Sequence, residues 1–394
     1  VSKILWRILI VITTGVIFSW TAYSIYRITT TSAPDFSILW KTAVDTLAHK
    51  NPYLDNSLIY GLLLPPITLI FYIPLAILDY KVAQAIFLIA SFLATVACVY
   101  ISLKITFKKI SLYTILIATS LTFLSFPTKF TLGMGQVNSI SFLFLILSYY
   151  FYQKGKSSLS GALLGVSIVS KPIFGFFLIF FVIKRCWKLV SCAIFTLLFA
   201  FGVSVWINGL NTYSYWFRNI LPTLLSAQGQ GKEVYYNQGL TGFISRLNIN
   251  FEVRKYLTTV ILIPIALYPI YLSFRKKNED LQFSFFMVTL LLIDTLSWQH
   301  HFVWLILPFI LLTKVALKVK GAWFWIFLGA AYVAVGWNFK NPIIFSEFPK
   351  SLILSNTFFG TLIVYFLTLY SLNRKGPYTS TTTGKIMGRR PVFW

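Results

Sequence analysis

Apolar runs of membrane-spanning length recur along the whole chain, and nothing else in the sequence constrains the fold as tightly. Ile4–Tyr26, Val82–Leu103 and Leu352–Leu372 reach or approach the ~20 apolar residues that cross a bilayer. Further runs cover 110–127, 137–152, 189–207, 256–274, 282–299 and 322–337, with shorter ones at 62–78, 159–170, 173–183 and 302–313. The runs are continuous and do not alternate, which excludes the period of two of a membrane β-barrel. Only 11% of residues are charged, against roughly 25% in a soluble domain, so water is not the main solvent. The expected fold is an all-α integral membrane protein with one transmembrane domain over residues 1–372. The first run is too long for a cleaved signal peptide and lacks a small-residue cleavage site, so it is expected to be the first transmembrane helix. Cys98, Cys186 and Cys192 lie in or beside apolar segments without metal-ligand spacing and are expected to pack.

Charge orients the chain. A formal net charge of +24 on a soluble protein would suggest nucleic acid. Here the basic residues cluster between apolar runs, where they set topology, so no nucleic-acid partner is expected. The clusters are Lys104/Lys108/Lys109, Lys154/Lys156, Lys184/Arg185/Lys188, Arg275/Lys276/Lys277, Lys314/Lys318/Lys320, and Arg374, Lys375, Lys385, Arg389 and Arg390 in the tail. With Lys3 and Arg7 inside, these 19 basic residues fall inside only if 62–78 does not cross. That segment is short and broken by Pro65-Pro66. The runs 159–170 and 173–183 form a hairpin that starts and ends inside. About twelve transmembrane helices (ten to thirteen) result, with both termini cytoplasmic. Outer loops cover 27–81, 128–136, 208–255 and 338–351, with juxtamembrane helices in the first and in 208–255. Residues 373–394 form a basic, flexible cytoplasmic tail.

Candidate chemistry converges on the outer face. Asp35, just beyond the first helix, suits a partly desolvated general base; alternatively it caps a helix over 36–50. Asp55 is expected in a turn and Asp79 at a boundary. Gly133 and Gly135 in TLGMGQVN permit a tight turn, and Gln136 and Asn138 offer amides to sugar hydroxyls or cap the next helix. Lys171, between two short apolar arms, would hold an anionic phosphate, or else snorkel. His300 and His301 in SWQHHFVW are hydrogen-bond donors for phosphate but poor metal geometry. Asp294 either pairs with a neighbouring helix or reaches the same site. The 208–255 loop adds Arg218, Lys232, Glu233, Tyr235, Tyr236, Asn237, Gln238 and Arg246 as a possible sugar or acceptor surface. No Asp-x-Asp motif occurs, so no divalent metal and no other cofactor is expected.

Four ordered stretches carry a resemblance: PDFSILWKTAVDTLAHKNPYL with LLPPITLIFYIPLAIL; LGMGQVNSISFLFLIL; SGALLGVSIVSKPIFGFFLIF; and LSWQHHFVWLILP, with a weaker echo in YYNQGLTGFISRL. In this order the chain resembles the GT-C glycosyltransferases, and within them family 87, which includes polyprenyl-phosphomannose-dependent mannosyltransferases. The resemblance implies a polytopic GT-C-like bundle in the plasma membrane. It implies a polyprenyl-phosphate sugar donor, a lipid or glycan acceptor, and inverting transfer on the non-cytoplasmic face. It maps the family's general base onto Asp35, its SW-x-HH stretch onto Ser297, Trp298, His300 and His301 near the donor phosphate, its Gly-Gln-x-Asn onto Gly135, Gln136 and Asn138, and its lysine-proline onto Lys171. The chain departs from the family pattern at Asp294-Thr295-Leu296 and in the start of its LLLPP stretch. A lipid-linked glycan flippase or other transporter, and a polysaccharide ligase, are the alternatives. A transporter needs charges lining a path through the membrane, where only Asp294 and marginally placed basic residues qualify.

Overall fold

The structure, a computed structural model, describes residues 3–54, 63–225, 232–275, 278–345 and 347–374. The expectations for Asp55, for Lys276 and Lys277, and for the tail beyond 374 lie outside those residues. The described residues are almost entirely helical. Their only β pairing is an isolated antiparallel bridge between Asn237 and Trp298.

In chain order, α1 is Lys3–Thr30, α2 Pro34–Leu47, α3 Ile73–Ala76, α4 Tyr80–Thr106, α5 Leu112–Leu124 and α6 Phe126–Met134. Then come α7 Asn138–Gln153, α8 Ser157–Ser170, α9 Phe176–Ile183, α10 Trp187–Asn208, α11 Leu210–Tyr215 and α12 Leu221–Leu225. The last third holds α13 Leu240–Ser245, α14 Phe251–Arg275, α15 Glu279–Ile293, α16 Ile306–Ala316, α17 Trp323–Gly336 and α18 Asn356–Asn373.

Six stretches among the described residues are long and apolar enough to cross a membrane: Ile4–Thr30, Tyr80–Thr106, Trp187–Asn208, Phe251–Arg275, Gln299–Ala316 and Lys350–Asn373. A seventh joins α5 and α6, which bend by 66° at their junction. The expected count of about twelve is therefore not reached by single helices of spanning length. Several runs are cut into pieces of 8 to 16 residues, such as α7, α8 and α9, shorter than the ~20 a straight crossing needs. The segment 128–136, expected as an outer loop, is mostly α6, because Pro127 starts a new helix inside the 110–127 run. Residues 66–76 form only a 3₁₀ turn (Pro66–Phe71) and α3.

The solvent of this fold shows in which residues are outside. Trp6, Val16 and Trp20 on α1, Phe195, Phe199 and Trp206 on α10, and Val260 and Phe274 on α14 are all exposed. Large apolar patches on the outside are rare in water-soluble monomers and normal against lipid tails. At the centre, every α15 residue from Asp280 to Leu292 is buried. Helices approach closely where residues are small, as lipid-embedded packing favours. A Cβ at Gly161 would lie 2.2 Å from the Leu189 carbonyl oxygen, and one at Gly165 2.5 Å from Thr196 Cβ, so α8 and α10 meet along a Gly-x-x-x-Gly face. Cys98 is buried and all three cysteines are free thiols.

Two further polar features fix the ends of the bundle. At one end, Tyr149 and Gln153 of α7 donate to one Asp280 oxygen at 2.8 and 2.6 Å, and Tyr152 donates to Glu279 at 3.0 Å. At the other end Gln84, fully buried in α4, accepts the Ala33 N–H at 2.8 Å and donates to the Ile28 carbonyl at 2.9 Å. That amide bridges the end of α1 and the start of α2. Asp79 is more than a boundary charge: it caps α4 by accepting the Lys81 N–H at 2.9 Å.

Candidate active site

Four breaks between helices bring the candidate residues together. The first is the start of α2. Ala33 occupies the cap position, Pro34 the first turn, and Asp35 follows inside the helix with no capping bond from its side chain. The capping role weighed for Asp35, and the 36–50 bounds, are thereby corrected. Pro34 starts the helix two residues earlier, since its fixed φ suits a first turn. The Asp35 carboxylate instead accepts a hydrogen bond from the Gln136 side-chain amide.

Gln136 reaches Asp35 because the second break, between α6 and α7, is pressed against α2. Gly135 adopts a left-handed conformation with φ of 67° and ends α6. A Cβ there would sit 2.6 Å from Phe36 Cβ and 2.8 Å from Ala33 Cβ. Glycine is required both by its dihedral and by this approach. Gly133 has open space around it and carries no such requirement. Neither amide caps α7, whose cap position is Val137. Asn138 is fully buried, and neither its Oδ1 nor its Nδ2 has a hydrogen-bond partner. A buried unpaired amide is costly, so an unfilled polar role is expected of it. Gly135→Ala should lower transfer activity at least tenfold and destabilise the fold by ~1–3 kcal/mol. Activity and thermal unfolding measured on the same preparation check both numbers.

The third break, between α8 and a 3₁₀ turn over Pro172–Gly175, carries Lys171. Its side chain is buried rather than snorkelling, and its Nζ lies 3.0 Å from His301 Nε2. An ammonium can only donate, so His301 Nε2 accepts and the ring proton sits on Nδ1. Nδ1 lies 3.4 Å from Asp294 Oδ2, without the alignment of a hydrogen bond. Asp294 thus reaches the site, while its Oδ1 accepts the Leu296 N–H at 3.1 Å. Lys171 interacts electrostatically with both Asp294 and Asp35, which makes it the link between the two carboxylates. Burial lowers the Lys171 ammonium to about 8, against the pull of both acids. Burial raises the Asp35 carboxyl above its ordinary value, opposed by the Gln136 hydrogen bond and the Lys171 charge.

The fourth break runs from Asp294 to a 3₁₀ segment over Gln299–Leu305 that holds both histidines, each buried. Thr131 of α6 donates to the His300 carbonyl at 2.9 Å, and Trp304 donates to the Asn138 carbonyl at 3.3 Å. The His301 ring stacks on Trp304 at 4.9 Å. His300 Nδ1 has no partner. Second and fourth breaks are therefore one unit.

The 208–255 loop divides. Tyr236 is partly exposed and stacks on Phe130 at 4.8 Å, and Phe130 packs on His300 at 5.4 Å, so Tyr236 borders the site. Asn237 and Gln238 face backbone instead. Asn237 donates to the Lys232 and Thr295 carbonyls at 2.8 and 3.0 Å, and Gln238 to those of Tyr235 and Leu354, both at 2.7 Å. Arg246 donates to Ser355 Oγ at 3.0 Å and to the Tyr235 carbonyl at 2.9 Å. These three clasp the loop to the histidine turn and to the start of α18. Arg218 is exposed, on a π turn over Trp216–Ile220. Glu233 pairs with Arg254 at 2.8 Å.

Three contributors went unseen in the sequence. Phe130 joins Tyr236 to His300. Gln84 holds the α2 start, and a lone glutamine inside the 82–103 run was its signal. Tyr72 is buried with an unpartnered hydroxyl that feels the Asp35 charge; one tyrosine in an aromatic stretch carries no such signal.

Among the described residues no group of three His, Cys, Asp or Glu is placed to hold a metal ion. The arrangement as a whole offers one carboxylate held by an amide, a cation and two histidines beside it, and a second acid behind them. A family model described as glycosyltransferase family 87 matches residues 63–297, more than half of the chain. No curated protein and no solved structure matches it.

Proposed function

We propose that this chain, which belongs to glycosyltransferase family 87, moves a sugar, mannose first among the candidates, from a polyprenyl-phosphate donor to a hydroxyl of a lipid or glycan acceptor. The proposed site is on the non-cytoplasmic face of a plasma-membrane protein with about twelve crossings and both termini inside, in which some crossings are made by paired short helices. The reaction inverts the anomeric carbon and uses no cofactor. One observation carries the reading: a half-buried carboxylate, Asp35, is held by Gln136 and felt by the buried Lys171.

The steps follow from that geometry. The acceptor oxygen attacks the anomeric carbon, and Asp35 takes its proton as the new bond forms. The bond from that carbon to the phosphate oxygen breaks. The departing phosphate takes the electron pair and meets one cation, Lys171, and the neutral ring donors of His300 and His301 already in place. Gln136 fixes which Asp35 oxygen stays occupied. Asn138, with both amide atoms free, suits the sugar hydroxyls.

The test is direct transfer. Purified protein is given polyprenyl-phosphomannose or its arabinose counterpart, with host lipid extract as acceptor, and products are analysed. A glycosylated lipid from one donor, of inverted configuration, is expected. No product from either donor would overturn the donor class.

A further inference from the structure

We infer a second binding site, for the phosphate of an anionic phospholipid of the outer leaflet, in the pocket between the α5–α6 bend and the end of α17. The inference rests on the sidedness proposed above. The pocket has a volume of about 350 Å³ and is lined by Leu124, Phe126, Lys129, Gly336, Trp337, Asn338, Phe339 and Lys340.

Its two lysines come from positions far apart in the chain, yet line one pocket with no acidic residue among its walls. Both are exposed, and neither ammonium makes a hydrogen bond or an ion pair among the described residues. Two other cations of the proposed outer segments do have carboxylate partners, Lys41 with Asp45 at 3.5 Å and Arg254 with Glu233 at 2.8 Å. On the proposed outer side, lysine also runs against the topology bias. Two ammonium groups on one pocket with no acid among its walls complement a phosphate.

The walls are built, not accidental. The Tyr332 hydroxyl donates to the Leu121 carbonyl at 2.7 Å, and a Cβ at Gly336 would lie 3.4 Å from Ser125 Oγ, so the end of α17 is held against the bend. Tyr235 donates to Asn338 Oδ1 and accepts the Phe339 N–H, each at 3.1 Å. The volume suits a phosphate headgroup and not a whole lipid. Below it the exposed apolar side chains Ile117 and Leu121 of α5 and Ile326 and Val333 of α17 offer a track for acyl chains. The donor's own phosphate is a poorer match. Phe126 stacks on Phe130 at 5.1 Å and Phe130 packs on His300, which puts aromatic rings between this pocket and the Lys171–His301 pair.

The experiment uses the full chain in nanodiscs of phosphatidylcholine alone or with phosphatidylglycerol, as wild type and as K129Q/K340Q. Native mass spectrometry should show phosphatidylglycerol retained by the wild type and bound roughly ten- to thirtyfold more weakly by the double variant, from ~1 kcal/mol per interfacial lysine. The transfer rate of the wild type should rise with phosphatidylglycerol, and that of the variant should not, with the donor KM equal in both. Equal retention by the two proteins would overturn the site. So would a raised donor KM with an intact lipid response, which would give the pocket to the donor. Sidedness is read separately: Lys340→Cys in sealed, right-side-out vesicles should react with an impermeant maleimide. Reaction only after permeabilisation would overturn the topology, while the retention result would still report on the pocket.

Discussion

Asp35→Asn is expected to reduce sugar transfer ~10²- to 10⁴-fold while the purified protein still binds its donor and keeps its unfolding temperature. The substitution preserves shape and leaves an oxygen for the Gln136 amide, so the scaffold has no reason to move. What it removes is the proton acceptor, and general base catalysis contributes about that factor, equivalent to ~3–5 kcal/mol of barrier. A base works in its deprotonated form. Because burial holds the Asp35 carboxyl above its ordinary value, kcat/KM of the wild type should fall as pH drops through that raised value, at higher pH than a solvated aspartate would give. The residual rate of the variant should lack this acid limb. Rapid-mixing or end-point transfer assays across pH, with donor binding measured in parallel, decide the matter. An unchanged rate would remove Asp35 from the chemistry.

Lys171→Gln is the second large effect, an expected loss of ~10²-fold or more in kcat/KM. The glutamine keeps a donor for His301 Nε2, now 3.0 Å from the ammonium, but loses the charge. Removing a preorganised donor to developing negative charge costs roughly 3–4 kcal/mol in well-studied sites. The ammonium lies at about 8 in the free protein, so the wild-type kcat/KM should decline as pH rises through that value, the protonated form being the active one. The variant should lose this alkaline limb. Together the two substitutions predict a bell-shaped profile from which each mutant deletes one side. If Lys171→Gln kept the alkaline limb, the cation that titrates would be another group.

The spanning helices were readable because their signal is local and long. α1, α4, α10 and α14 begin and end within a few residues of the apolar runs that announced them. The bend at Ser125 was hidden for the opposite reason: Pro127 falls at the end of one unbroken apolar run, where a helix stop and a helix restart look alike. At the site, residue type proved a better guide than residue pairing. Asp35, Gln136, Lys171 and His301 stood out as polar groups in apolar surroundings, and the structure joins them through contacts spanning 101 and 130 residues of sequence. Asn237, Gln238 and Arg246 stood out on the same grounds, yet their polar atoms are spent on backbone carbonyls and Ser355. A one-dimensional pattern registers that a polar group needs a partner and is silent on whether that partner is the chain or a ligand. Asp79 and Asp35 illustrate this: both sit at helix starts, and only the first caps.

The assembly of the site from four helix breaks has a consequence for how the protein is made. Three corners, at 35, 136–138 and 171, leave the ribosome before the fourth at 294–301 exists. Until then Lys171 has neither His301 nor Asp294, and Asn138 lacks the Trp304 indole that binds its carbonyl. A buried ammonium without those partners is costly in a bilayer, so closure around Lys171 is expected to wait for α15 and the histidine turn. Completion of the site is therefore expected only once the Asp294–His301 stretch has been made. Lesions in the Asp294–His301 stretch should reduce the amount of protein that survives membrane insertion as well as the activity of what remains.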